Sequence, residues 1–155
     1  MAQPKIGNLA PAFTLQDQNG DKVSLKDLRG KKVVLYFYPR AMTPGCKAQA
    51  CGLRDTQAEL AEHNAVAVGI SPDPVKKLKR FEEKDELNFT LLSDEDHAIA
   101  EKYGVWGLKK FMGKESMGII RTTFIVNEEG RLAKIMNKFK TKSHHEDVLA
   151  ELAEL

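Results

Sequence analysis

The chain has 155 residues, the length of one ordinary domain and enough to bury a core without disulfide or metal staples. With 42% hydrophobic and 30% charged residues it falls in the soluble globular class, and no apolar run approaches the roughly 20 residues of a membrane span. Its 24 basic and 22 acidic residues are interspersed, and the densest basic stretches, 76–80 and 134–142, are broken by apolar residues, which argues against a one-sided nucleic-acid footprint.

The opening MAQPKIGNLAPAF lacks the continuous apolar segment of a secretory leader, so a cytoplasmic address is expected. Residues 12–16 and 23–25 read as short strands around QDQNGDK, where Asn19-Gly20 favours a tight reversal at positive φ. Lys31-Lys32 leads into VVLYFY, a run without polar alternation that predicts a strand covered on both faces. Pro39 ends it, having no N–H for the ladder. Thr43 is placed as N-cap and Pro44 at the first position of a helix running from Cys46 to His63, with Ala50, Leu53, Leu60 and Ala61 as its apolar stripe.

AVAVGIS, residues 65–71, repeats the buried-strand pattern, and Ser71-Pro72-Asp73-Pro74 stops it and opens a helix to about Asp85. Residues 89–92 form a short strand, and Ser93-Asp94 caps a third helix ending near Gly104. The glycine-punctuated stretch 105–118 reads as a loop anchored by Trp106, Phe111 and Met112. Residues 119–126 and 132–136 are strands joined by NEEG in a second hairpin. Ser143 and Glu146 have capping-box spacing before a terminal helix whose apolar face is Val148, Leu149, Leu152 and Leu155.

No linker or repeat interrupts this order, so residues 1–155 are read as one α/β domain. An N-terminal β-hairpin precedes a central mixed sheet flanked by helices on both faces. Sites in such sheets lie at strand ends, where loops meet helix N-termini. Residues 39–46 fall in that place.

The chemistry there belongs to Cys46. A cysteine in the first turn of a helix faces N–H groups without intrahelical partners and the positive end of the macrodipole, and both favour thiolate. The bland alternative is a small buried hydrophobe. Against it stands the specialised loop, in which Thr43 supplies a hydroxyl while Pro39, Pro44 and Gly45 restrict and bare the backbone. Two cysteines are too few for a disulfide framework, which leaves a catalytic pair or buried thiols.

Pro39, Thr43 and Cys46 form a P-x-x-x-T-x-x-C signature that resembles the peroxiredoxins, and the cysteine five residues on resembles their bacterioferritin comigratory protein, or Q-type, subgroup. APAFTLQDQNG, FYPRAMTPGC, ACGLRD, FTLLSDEDH, YGVWG and GIIRTTFIV extend the likeness over nearly the whole chain. The resemblance implies a thioredoxin-like fold and a thiol peroxidase for hydrogen peroxide and organic hydroperoxides, serving antioxidant defence. It makes Cys46 the peroxidatic nucleophile, Thr43 the hydroxyl that orients peroxide, Pro39 a shield against water, and Arg121 the cation that stabilises thiolate and transition state. Gln49 stands where many members carry glutamate.

Acidity alone gives little: lowering a thiol pKa from about 8.5 to about 6 raises the thiolate fraction at neutral pH only about thirtyfold. Most of the acceleration must come from donors aimed at the peroxide oxygens. In the subgroup a second thiol captures the sulfenic acid as a disulfide, and Cys51 is the candidate here. Residues five apart in a regular helix lie roughly 8 Å apart, beyond the reach of a disulfide, so the helix must unwind. Gly52, Ala48 and Ala50 are expected to offer little bulky packing against that. The resemblance further implies thioredoxin or glutaredoxin as reductant, a monomer, and no cofactor.

His144-His145 reads as a surface cap rather than a metal site, and His97 as an exposed helix start. Trp106 reads as a loop anchor packed against the sheet, with the mouth of the site as its alternative place. Two further functions compete with this reading. A thioredoxin-like disulfide exchanger is disfavoured by the five-residue cysteine spacing, and a noncatalytic binding or holdase protein on the same scaffold needs no reactive thiol.

Overall fold

The computed structural model describes residues 3–155. β1 (Thr14–Asp17) and β2 (Lys22–Ser24) form the expected hairpin, and a 3-10 turn follows over Leu25–Leu28. The Asp17 carboxylate accepts the N–H groups of Asn19 and Asp21 at 2.9 and 3.0 Å, and the left-handed residue is Gly20 alone, at φ 82°. Strand β3 (Lys32–Phe37) and strand β4 (Ala65–Ser71) are parallel neighbours whose side chains are almost all buried. Between them run α1 (Pro44–Asp55) and α2 (Gln57–Glu62). These are two helices, not one. The Thr56 hydroxyl donates to the carbonyls of Gly52 and Leu53 at 3.0 and 3.3 Å and competes with helix continuation. Ala61 is exposed, so the apolar stripe consists of Ala50, Leu53 and Leu60.

After β4 come α3 (Val75–Asp85), β5 (Thr90–Ser93) and α4 (Ala98–Lys102). Asp94 caps α4 from outside, its carboxylate accepting the N–H groups of Ile99 and Ala100 at 3.1 and 2.9 Å. The stretch expected to be a loop is instead a hairpin, β6 (Trp106–Phe111) with β7 (Lys114–Ile119), forming a separate two-stranded sheet. Met112 and Gly113 both have positive φ, 52° and 79°, the geometry of a two-residue primed turn. Met112 is 87% exposed and anchors nothing, and the Phe111 side chain lies outside the described part of the structure. Ile119 therefore ends β7, and the next strand, β8 (Thr122–Val126), begins after Arg121.

β9 (Leu132–Met136) pairs with β8 across NEEG, and α5 (His144–Ala153) closes the fold. The sheet order is β2-β1-β5-β4-β3-β8-β9. Alternation along β3 divides the core: Val34 and Tyr36 pack with Leu53, Leu60, Phe81 and Val148, whereas Val33, Leu35 and Phe37 pack with Leu25, Tyr103 and Phe124. Thus α1, α2, α3 and α5 cover one face and α4 with the 3-10 turn the other, the α/β architecture expected. Leu155 is half exposed, so the inner face of α5 is Val148 and Leu152, with Leu149 at its margin. The Ser143 side chain makes no capping bond; its carbonyl accepts the Glu146 N–H at 3.0 Å. No described helix is long and apolar enough to cross a membrane.

Candidate active site

β3 and β4 end side by side, and the turn leaving β3 carries Pro39 and Thr43 into α1. Thr43 is the N-cap by backbone, with Pro44 first in the helix, as the spacing predicts. Its hydroxyl, however, donates to the Arg40 carbonyl at 2.9 Å instead of accepting from the helix. Lys47 N–H makes the first helical bond, to the Thr43 carbonyl, so the N–H groups of Gly45 and Cys46 precede the ladder and remain outside it. No acidic residue occupies this first turn to oppose an anion.

The Cys46 side chain is buried. Arg121, 75 residues away on the link between β7 and β8, donates from Nη2 to Cys46 Sγ at 3.2 Å. Its other terminal nitrogen, Nη1, donates to Gln49 Oε1 at 3.1 Å. Gln49 follows Cys46 by three residues, hence shares its helix face, and it is fully buried. An amide oxygen thus does the orienting expected of a carboxylate, leaving the guanidinium charge undivided for sulfur. Gly45 makes the approach possible: a Cβ there would lie 3.0 Å from Arg121 Nη2.

Pro39 and Thr43 line a cleft of about 620 Å3, together with Trp106, Lys109, Met117 and Ile119 of the β6–β7 hairpin. Trp106 therefore does both things considered for it: it packs partly against the core and lines the mouth. Its ring stacks on His97 at 3.8 Å, which half covers that histidine. Lys109 is half-buried, and burial, with the Arg121 charge, holds its ammonium below the usual lysine range. Beneath the site Tyr36 and Tyr38 stack at 5.4 Å, and burial pushes both hydroxyls well above the ordinary tyrosine range.

Cys51 lies on the same unbroken helix as Cys46, and both thiols are free. The expected slack beside it is absent. A Cβ at Gly52 would meet His145 Nδ1 and lie 2.9 Å from Cγ of that ring, and Ala50 and Leu53 are fully buried. His144 is also not a surface cap. It is fully buried, its Nε2 2.8 Å from the Thr123 hydroxyl and its ring against Phe139, and burial drives its pKa down to about 3. Among the described residues, no three of His, Cys, Asp or Glu come together to hold a metal.

One polar group escaped the sequence reading. Asp73, in what reads as a turn, is buried and accepts the Ala41 N–H at 2.7 Å. An acidic residue between two prolines at the end of a buried strand was the available signal.

The AhpC/TSA family model matches residues 6–135. The chain is 57% identical to a Haemophilus influenzae relative and 52% identical to peroxiredoxin Bcp of Escherichia coli over 150 residues, covering 97% of this chain and at least 96% of either relative. Peroxidoxin BcpB of Mycobacterium tuberculosis superposes with a TM-score of 0.86 at 38% identity, covering 97% of both chains. The Xanthomonas campestris bacterioferritin comigratory protein, whose structure concerns alkyl peroxide reduction, does so at 0.86 and 32% identity, over 92% of this chain and 90% of its own. A thiol held by a guanidinium at a helix start and a sequence shared from end to end with these proteins agree: the chain belongs to the AhpC/TSA family, among the peroxiredoxins of the Bcp, or Q, group.

Proposed function

We propose that this protein reduces hydrogen peroxide and organic hydroperoxides at Cys46, as a monomer in the cytoplasm whose residues 1–155 act as one domain. The observation that carries this reading is the 3.2 Å contact of Arg121 Nη2 with Cys46 Sγ at the start of α1. It supplies a positive charge and a fixed donor where the thiolate and the departing oxygen both need them.

The Cys46 thiolate attacks one peroxide oxygen, and the O–O bond breaks with its electron pair leaving on the other. The proton lost when the thiol ionised returns to the leaving oxygen, so the products are a sulfenic acid and an alcohol, or water from hydrogen peroxide. Arg121 steadies the thiolate and then the lengthening bond. Because the Thr43 hydroxyl proton is engaged by Arg40, its oxygen is free to accept the peroxide O–H. Pro39, at the rim, limits water.

Cys51 then attacks the sulfenic sulfur, a disulfide forms and water leaves. Five residues of regular helix separate the sulfurs' backbones by roughly 8 Å, so the start of α1 unwinds for this step. A dithiol reductant such as thioredoxin or glutaredoxin returns both thiols by exchange. The cleft's apolar wall of Trp106, Met117 and Ile119 favours alkyl hydroperoxides alongside hydrogen peroxide.

Peroxide titration of the reduced protein, followed by mass spectrometry on the parent and on Cys51→Ser, tests the scheme. A Cys46–Cys51 disulfide in the parent and a trappable sulfenate in the variant are expected. Peroxide left intact by the parent in the presence of thioredoxin, its reductase and NADPH would refute it.

A further inference from the structure

The turn that bears Pro39 and Thr43 is itself held by a buried carboxylate. Asp73 lies just past the end of β4, and its Oδ2 accepts the Ala41 N–H at 2.7 Å and the Ser71 hydroxyl at 2.8 Å. Its other oxygen faces Lys77 Nζ at 3.3 Å, and its carbonyl accepts the Ser93 hydroxyl at 2.6 Å. The carboxylate is thus bound from three elements and spends a charge-assisted bond on a single backbone N–H of the turn.

That turn would not keep its shape unaided. Met42, immediately after Ala41, has φ 66°, a left-handed conformation that costs a non-glycine residue about 1 kcal/mol or more. Thr43 closes the far side through its bond to Arg40, a bond internal to the turn. Ahead of it, Tyr38 N–H donates to the Ile70 carbonyl at 3.0 Å. The Ala41 bond to Asp73 therefore ties the strained middle of the turn to the rest of the fold.

We propose that Asp73 is a positioning residue for peroxide reduction: its carboxylate holds the strained turn so that the Thr43 oxygen and the Cys46 sulfur meet one peroxide molecule. This rests on the roles given to Cys46 and Thr43 above. Thiolate formation depends instead on Arg121 and the helix start, which Asp73 does not touch. The two contributions should separate on substitution.

Asp73→Ala, Asp73→Glu and Asp73→Asn are compared with the parent, all in a Cys51→Ser background so that one thiol reports. Two second-order rates are measured at the same pH: oxidation of Cys46 by hydrogen peroxide and its alkylation by iodoacetamide. A reacting group displaced by about 1 Å loses roughly a hundredfold in rate, so the Ala and Glu variants should lose about that in oxidation while alkylation stays near the parent value. Asn keeps an oxygen able to accept from Ala41 and should recover most of the oxidation rate. Unchanged oxidation in Asp73→Ala, equal losses in both rates, or an Asn variant no better than Ala overturns the proposal. If Asp73→Ala does not fold, Glu against Asn decides: a slow Glu and a fast Asn variant support it, the reverse overturns it. A parent whose Cys46 ignores peroxide would overturn the peroxidase reading itself, a distinct result.

Discussion

Replacing Gln49 with glutamate should make the Cys46 thiolate harder to form. Sulfur and the Gln49 oxygen sit on the two terminal nitrogens of one guanidinium, at 3.2 and 3.1 Å, which puts a new carboxylate about 5 Å from the sulfur. Two like charges at that distance repel by about 3 kcal/mol at an effective dielectric constant of about 20, equivalent to roughly two pH units. The Arg121 guanidinium, bonded to both groups, offsets part of this repulsion and leaves about one unit. The sign follows from like charge disfavouring the anion: the acid limb of both alkylation and peroxide reduction moves to higher pH. Activity at neutral pH falls by about tenfold at most and returns in alkali. The assay is the pH dependence of iodoacetamide alkylation in a Cys51→Ser background, with peroxide oxidation measured in parallel. A limb that stays in place, or moves to lower pH, would refute the reasoning, because glutamate would then have taken up a proton or Arg121 would not be shared.

Arg121→Met should lose more peroxide rate than alkylation rate, since the transition state asks more of the guanidinium than the resting thiolate does; equal losses would contradict this. Oxidation should speed amide exchange over residues 46–52 without disturbing β3 or β4, and an unchanged exchange pattern in the disulfide form would rule out unwinding. His144, with a pKa lowered to about 3 against about 6.5 unfolded, takes up a proton first in the unfolded chain. Its contribution to stability is therefore complete above about pH 6.5 and is lost towards pH 3 by up to about 1.4 kcal/mol per unit. Urea unfolding of the parent and His144→Gln at several pH values should give curves that converge on acidification; a constant offset would show that His144 does not titrate as described.

The parts of the fold legible in the residues were those whose burial repeats locally. VVLYFY and AVAVGIS announce covered strands because apolar residues run through them without polar alternation, and both are buried strands, paired in parallel. The β6–β7 hairpin was not legible: it pairs outside the main sheet with Leu108, Met112 and Met117 exposed, and its turn places Met112 where asparagine or glycine would have signalled positive φ. Within the site, Pro39, Thr43 and Cys46 are contiguous and could be read directly, whereas Arg121 entered only through resemblance. The burial of Asp73 and of His144 is hidden from the sequence for one reason. Each looks like a polar residue at an element end, and only the meeting of distant segments, the Ala41 turn for one and Thr123 with Phe139 for the other, removes it from solvent.

The bifurcated hydrogen bond from the Thr56 hydroxyl to the carbonyls of Gly52 and Leu53 decides how far a rearrangement at the first cysteine can spread. Because the ladder is already interrupted there, fraying that starts at Pro44 meets a boundary at Thr56, and the segment beyond it, with Leu60 seated against the sheet, has its own starting bond from Leu60 N–H to the Thr56 carbonyl at 3.0 Å. Under the unwinding proposed above, the disturbance can thus stay within α1, where the buried Ala50 and Leu53 oppose its spread, while Leu60 keeps its seat. A continuous helix to Glu62 would carry the same disturbance on to Leu60; the interruption stops it short of that contact.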